Sequence, residues 1–151
     1  MLLHQKIEQD FKKAFKAGEQ ARRSVLIMLK SALLNKAIEK RSKDEPLSDD
    51  DVQSVVSAEI KKRRDAAVQY LSGGRPDLAA KEEAEVAVLI GYLPQQYTKE
   101  EIKKLAEEAI AQTGANEEKD FGKMMSVLAP RVKGRADGSL VARIVREALS
   151  R

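Results

Sequence analysis

Leu93-Pro94-Gln95-Gln96-Tyr97 is the stretch that organises the chain. Pro94 holds the residue before it extended, and it has no amide hydrogen to donate to a helix running through it. Helical periodicity surrounds this break on both sides, so it reads as a seam between two helical modules. Thr98 and Glu101 directly behind it form a capping pair that opens a new helix carrying Ile102, Leu105, Ala109 and Ile110. Thr113-Gly114 ends that helix. A shorter one uses Phe121, Met124, Met125 and Leu128 before Pro130, and a last one begins after Gly138 and buries Leu140, Val141, Ile144, Val145 and Leu149.

Upstream of the seam the pattern is again helical. Ile7, Phe11, Ala14 and Phe15 recur at three- and four-residue steps, and Gly18 ends their helix. Val25 to Leu29 are apolar at five successive positions, followed by Ala32, Leu33, Leu34, Ala37 and Ile38. So wide an apolar face predicts the central, most buried helix of a bundle. Ser48 with Asp51 caps a third helix, and Asp49, Asp50 and Asp51 complement its dipole. That helix stops at Ser72-Gly73-Gly74-Arg75-Pro76, and a fourth runs from about Asp77 to Tyr92. Nothing alternates with period two over a useful length. The expected fold is all-α, with a four-helix subdomain over 1–94 and a three-helix subdomain over 95–151.

Composition excludes several chemistries. The 151 residues contain no Cys and a single histidine, His4. Disulfides, thiol nucleophiles and thiolate metal sites are therefore absent, and a zinc site would have to be almost all carboxylate. The Asp49-Asp50-Asp51 cluster is accounted for by the helix dipole, and Glu82, Glu83 and Glu85 by a solvated face shared with Lys81. His4 reads as an ordinary surface residue. The serines sit at caps or mid-helix, without a nucleophile elbow. No catalytic residue, metal or cofactor is expected. No apolar run is long enough to span a membrane, and Leu2-Leu3 leads directly into charged residues, so the expectation is a cytosolic protein.

Charge is unevenly distributed. From Lys119 to Arg151 stand eight basic side chains against three acidic ones, a net of +5, whereas the first 118 residues net −1. The basic groups surround Pro130-Arg131-Val132-Lys133-Gly134-Arg135-Ala136-Asp137-Gly138, read as a glycine-hinged loop between two helices. Lys123, Arg131, Lys133, Arg135, Arg143 and Arg146 are the candidate nucleic-acid contacts, with Arg131, Lys133 and Arg135 at the contact and the other three beside it. Gly122, inside a short helix, serves either tight packing or the approach of a ligand. The Lys61-Lys62-Arg63-Arg64 run spreads around its helix and reads as a solvated face, with a secondary nucleic-acid contact as the alternative, and Gly73-Gly74-Arg75 reads as a plain helix-breaking loop rather than a phosphate site. With only three Phe, three Tyr and no Trp, binding would rest on phosphates and 2′-hydroxyls and select folded RNA by shape.

The motifs in order also carry a resemblance. Asp120-Phe121-Gly122-Lys123-Met124-Met125, the Pro130–Gly138 stretch and Val141 to Leu149 resemble the C-terminal signature of the YqeY family. Val25-Leu26-Ile27-Met28-Leu29-Lys30-Ser31-Ala32, Glu59-Ile60-Lys61-Lys62-Arg63, Gly74-Arg75-Pro76-Asp77-Leu78-Ala79, Lys81-Glu82-Glu83-Ala84-Glu85 and Tyr92-Leu93-Pro94 are similar to its N-terminal part. The resemblance implies an all-helical protein of two subdomains, related to the tail of GatB, a subunit of the tRNA-dependent amidotransferase. That enzyme is a carbon–nitrogen ligase with glutamine as amido-N-donor. The tail is associated with gripping tRNA, while the chemistry lies in other domains. The resemblance thus implies a non-catalytic accessory module, with tRNA or another folded RNA and amidotransferase or tRNA-synthetase components as partners. The alternative is a helical protein-interaction module.

Overall fold

A computed structural model describes residues 1–41 and 45–150. The described residues form seven α-helices and one short 3-10 turn, with no strand among them. They fall into two compact units, Met1–Leu93 and Pro94–Arg151. Arg151, counted in the basic tail, lies outside the described residues.

The first unit contains α1 (Leu3–Ala17), α2 (Gln20–Glu39), α3 (Asp49–Ser72) and α4 (Pro76–Ile90). Local chemistry sets most of their ends. Gly18 takes the left-handed conformation that closes α1 (φ 72°). The Ser48 hydroxyl accepts from the Asp51 amide at the start of α3, and Pro76 opens α4, where its missing N–H costs no hydrogen bond. Two of the three aspartates make bonds that hold the unit together: Asp49 accepts from the Leu3 amide (2.9 Å) and Asp51 from Lys40 (2.7 Å). The core gathers Ile7, Val25, Leu26, Leu29, Val52, Val56, Ile60, Val86 and Leu89. The buried Tyr92 donates its hydroxyl to Asp10 (2.7 Å), tying the chain after α4 to α1. Burial and that carboxylate push the Tyr92 phenol well above its usual range.

Two expectations fail here. α2 is not the buried centre of the bundle. It buries Val25, Leu26, Leu29 and Leu33, whereas Ile27, Met28, Leu34 and Ile38 stay 46–61% exposed. Its apolar residues point both inward and outward, which hydropathy alone cannot separate. The Lys61–Arg64 run is likewise not a uniformly solvated face. Arg63 is 4% exposed and is held by Glu59 (2.7 Å) and Glu85 (3.2 Å). Glu85 therefore belongs to an ion triad and not to an open acidic face. Desolvation first, and the neighbouring Glu85 second, raise the carboxyl of Glu82 above its ordinary value.

The second unit contains α5 (Lys99–Thr113), the 3-10 turn Glu118–Asp120, α6 (Phe121–Val132) and α7 (Gly138–Leu149). Each pair of its α-helices packs together, around Ile102, Ala106, Ala109, Met124, Leu128, Val132, Val141, Ile144 and Val145. Thr98 caps α5 by accepting from the Glu101 amide, and Gly114 ends it at φ 71°. α6 does not stop before Pro130 but continues through it to Val132. Val132 is 5% exposed and stands eight and four residues beyond the buried Met124 and Leu128, so its burial extends the helix. Pro130 lies on the exposed face. The bond it cannot make is to the carbonyl of Ser126, a residue that is also exposed. The loop between α6 and α7 is therefore only residues 133–137.

Candidate nucleic-acid interface

The α6–α7 loop is bolted to the segment behind the seam. The Tyr97 amide donates to the Arg135 carbonyl (2.7 Å). The Gln96 side chain donates to the carbonyls of Pro94 and Gly134 (both 2.8 Å). Arg135 donates through Nε to the Gln95 carbonyl (3.0 Å) and through Nη1 to the Tyr97 hydroxyl (2.7 Å), and its guanidinium lies 3.8 Å from the Tyr97 ring centre. Gly134 adopts φ 74°, which a side chain there would resist. Arg135 is thus committed to positioning the loop. Gln96 and Tyr97, which in the sequence stand only as part of the seam, are the loop's partners. Their separation of 38 residues along the chain left no local signal.

The other candidate cations divide into held and unpaired groups. Arg131, in the last turn of α6, meets Glu108 of α5 at 3.4 Å, both exposed. Lys123 donates to the Thr113 carbonyl at the C-terminal end of α5 (3.1 Å), satisfying one of that helix's orphan acceptors. Lys133 and Arg143 are exposed and have no hydrogen-bonding or ionic partner among the described residues. Arg146 lies over the Phe121 ring, 4.5 Å from its centre, with no carboxylate against it among those residues. This contact sets the start of α6 beside the end of α7, so the two helices run antiparallel. Arg143 and Arg146 are one turn apart on the exposed side of α7, opposite Val141, Ile144 and Val145. From the start of α7 to Arg146 is about 12 Å of helix. Lys133, Arg143 and Arg146 therefore spread along the α6–α7 hairpin rather than clustering at one point.

The outer face of α6 is smooth. A β-carbon added at Gly122 would meet nothing within 4 Å, so packing inside the chain does not demand that glycine. Ser126, Ala129 and Pro130 continue the exposed side. Asp120, just before the helix, accepts from the amides of Asn116 (3.1 Å) and Glu117 (3.3 Å), and these bonds hold its carboxyl below the ordinary value.

Elsewhere the chemistry is sparse. No group of three or more His, Asp or Glu side chains able to hold a metal ion occurs among the described residues. A cleft of about 650 Å³ is lined by His4, Glu8 and Lys30, and one of about 530 Å³ by Glu19, Arg22, Lys81 and Glu85. His4 is not simply a surface residue: its Nε2 is shielded from solvent and has no hydrogen-bond partner among the described residues. Gly73-Gly74-Arg75 forms a closed corner in which Arg75 pairs with Asp77 (3.1 Å).

A family model described as "Yqey-like protein" matches residues 4–149. Curated relatives named "Altered inheritance of mitochondria protein 41, mitochondrial" also match. The protein from Lachancea thermotolerans is 32% identical over 89 residues, covering 59% of this chain and 46% of that protein. That from Eremothecium gossypii is 30% identical over 87 residues, covering 58% and 46%, and that from Kluyveromyces lactis 31% over 86, covering 57% and 45%. The matched stretch spans less than half the length of these relatives. Their names overturn the expectation of a cytosolic protein, since relatives at this similarity are named as mitochondrial. No helix among the described residues is long and apolar enough to cross a membrane.

Proposed function

This chain belongs to the YqeY-like protein family, and we propose that it is a non-catalytic RNA-binding accessory module whose α6–α7 hairpin grips the backbone of a folded RNA. One observation carries the reading: Lys133, Arg143 and Arg146 stand along that hairpin without a carboxylate partner among the described residues. Cations uncompensated by their own protein are free to displace counterions from a polyanion. The smooth face at Gly122 supports close approach of a sugar–phosphate strand. The loop clamp supports a preformed site, in which Arg135 orients Lys133 and does not itself reach the ligand.

Transfer RNA is the ligand that the resemblance to the GatB tail implies, and assistance to a tRNA-dependent amidotransferase is the corresponding role. The test is a titration with tRNA at two salt concentrations beside a random RNA duplex. Binding should prefer tRNA and weaken with salt, and Lys133→Ala should lower the salt slope by roughly one. Equal affinity for the duplex, or binding insensitive to salt, would overturn the reading.

A further inference from the structure

We propose that the outward face of α2 is a seam for an amphipathic helix of another protein, one that presents a carboxylate to Arg23. The observation is an apolar stripe with nothing over it among the described residues of its unit. Ile27, Leu34 and Ile38 are 46%, 61% and 52% exposed. With Ser31 between them they follow one another at steps of four, three and four residues, the spacing that keeps side chains on one line of a helix. The stripe lies opposite Val25, Leu26, Leu29 and Leu33, which α2 gives to its own core.

Width and charge together select the occupant. Ser24 precedes the stripe on the same line and the exposed Asn35 borders it. Met28 is the one large exposed apolar side chain on either border of α2, so the apolar band is little wider than one seam, which fits a helix and is too narrow for the broad face that lies in a membrane surface. One border carries Arg23, Lys30 and Ala37, the other Ala21, Met28 and Asn35. None of these six border residues is an acid, and the nearest one on α2, the exposed Glu39, stands one turn beyond Asn35 on the side away from Arg23, so a second copy of α2 matches Arg23 poorly. Lys30 is already held by Glu8 at 3.0 Å. Arg23 lies over the Phe15 ring, 5.3 Å from its centre, and has no carboxylate among the described residues. Phe15 itself is 59% exposed. An arginine stacked on an aromatic ring beside an apolar seam keeps its forked donors for a carboxylate on the incoming helix.

The probes are two helical peptides of about three heptads with leucine at the seam positions, one with glutamate and one with lysine at the flanks. Binding is read by fluorescence anisotropy on the whole protein. The glutamate peptide should bind at least about tenfold more tightly than the lysine peptide. Arg23→Glu should reverse that order, and Leu34→Glu, at an exposed position, should abolish binding while helicity and tRNA affinity stay unchanged. The inference fails if neither peptide binds, or if Leu34→Glu leaves the glutamate peptide bound. It also fails if the free protein dimerises, or binds phosphatidylserine vesicles, in a way that Leu34→Glu removes. Since Leu34 is not among the residues assigned to RNA, failure here leaves the RNA reading standing, and the converse holds.

Discussion

The two units build cores of the same kind and present different surfaces. All nine large apolar side chains found exposed among the described residues, from Met1 to Leu71, belong to the first unit, and none to the second. Charge does not separate the units in bulk, since residues 1–93 and 94–151 each net +2. What differs is its arrangement. In the second unit, residues 99–118 carry six acids against three bases, and residues 119–151 eight bases against three acids. α5 together with the segment behind it is thus the acidic side of a bundle whose α6–α7 side is basic, and the Arg131–Glu108 pair lies where they meet. An outward apolar stripe suits a protein partner and an uncompensated basic hairpin suits a polyanion.

The sharpest difference in internal chemistry is the Arg63 triad, which has no counterpart among the buried residues of the second unit. Arg63→Met removes the cation and leaves Glu59 and Glu85 facing each other in a shielded site. It should destabilise the protein by about 3–5 kcal/mol. Thermal melting measures the loss, and hydrogen exchange should locate it in α3 and α4 and leave α5–α7 protected. A loss spread evenly over both units would erase this contrast.

A smaller effect separates folding from binding. Gly122→Ala should stabilise the protein by up to about 1 kcal/mol, because alanine is the better helix former and its methyl meets open space. The same change should weaken RNA binding if a strand lies against that face. Denaturant unfolding and tRNA titration on one sample decide it, and a stabilised variant with undiminished affinity would remove Gly122 from the interface.

The smallest effect is one of pH. The Asp120 carboxyl is held below its ordinary value, first by the Asn116 amide and then by that of Glu117. A lowered carboxylate stabilises the fold above its unfolded pKa, and that contribution is lost as pH falls through the ordinary carboxylate range toward the folded value. Melting temperatures taken between about pH 5 and pH 3 should therefore fall less steeply for Asp120→Asn than for the parent. Because Asp120 is still partly open to solvent, the difference should be slight. Parallel curves would show that its amide bonds contribute nothing.

Features written in neighbouring residues were legible before the structure. The Ser48 and Thr98 caps, the Gly18 and Gly114 stops and the Pro76 start need only a few residues of context, and the helices followed. Features written across the chain were not. Arg63 looked solvated because Glu85 stands 22 residues away. α2 looked buried because inward and outward apolar residues alternate around one helix, and composition does not say which side has a neighbour. Pro130 looked like an end because the local cost of proline is visible, while the burial of Val132 that offsets it is tertiary. Of the candidate contacts, the sequence put Arg131, Lys133 and Arg135 at the contact and Lys123, Arg143 and Arg146 beside it. Partners at a distance set apart the clamp Arg135, the helix-end donor Lys123 and the ion-paired Arg131 from Lys133, Arg143 and Arg146.

Whether the polyanion site lies on the α6–α7 hairpin and not on basic groups at large is decided by measuring tRNA affinity at two salt concentrations for two triple charge reversals. One carries Lys133, Arg143 and Arg146 changed to Glu, and the other Lys61, Lys62 and Arg64 changed to Glu. The hairpin triple should lose most of its affinity and lower the salt slope by roughly three, while the α3 triple should retain nearly parental binding. Equal losses in the two, or a greater loss from the α3 triple, would contradict a hairpin site.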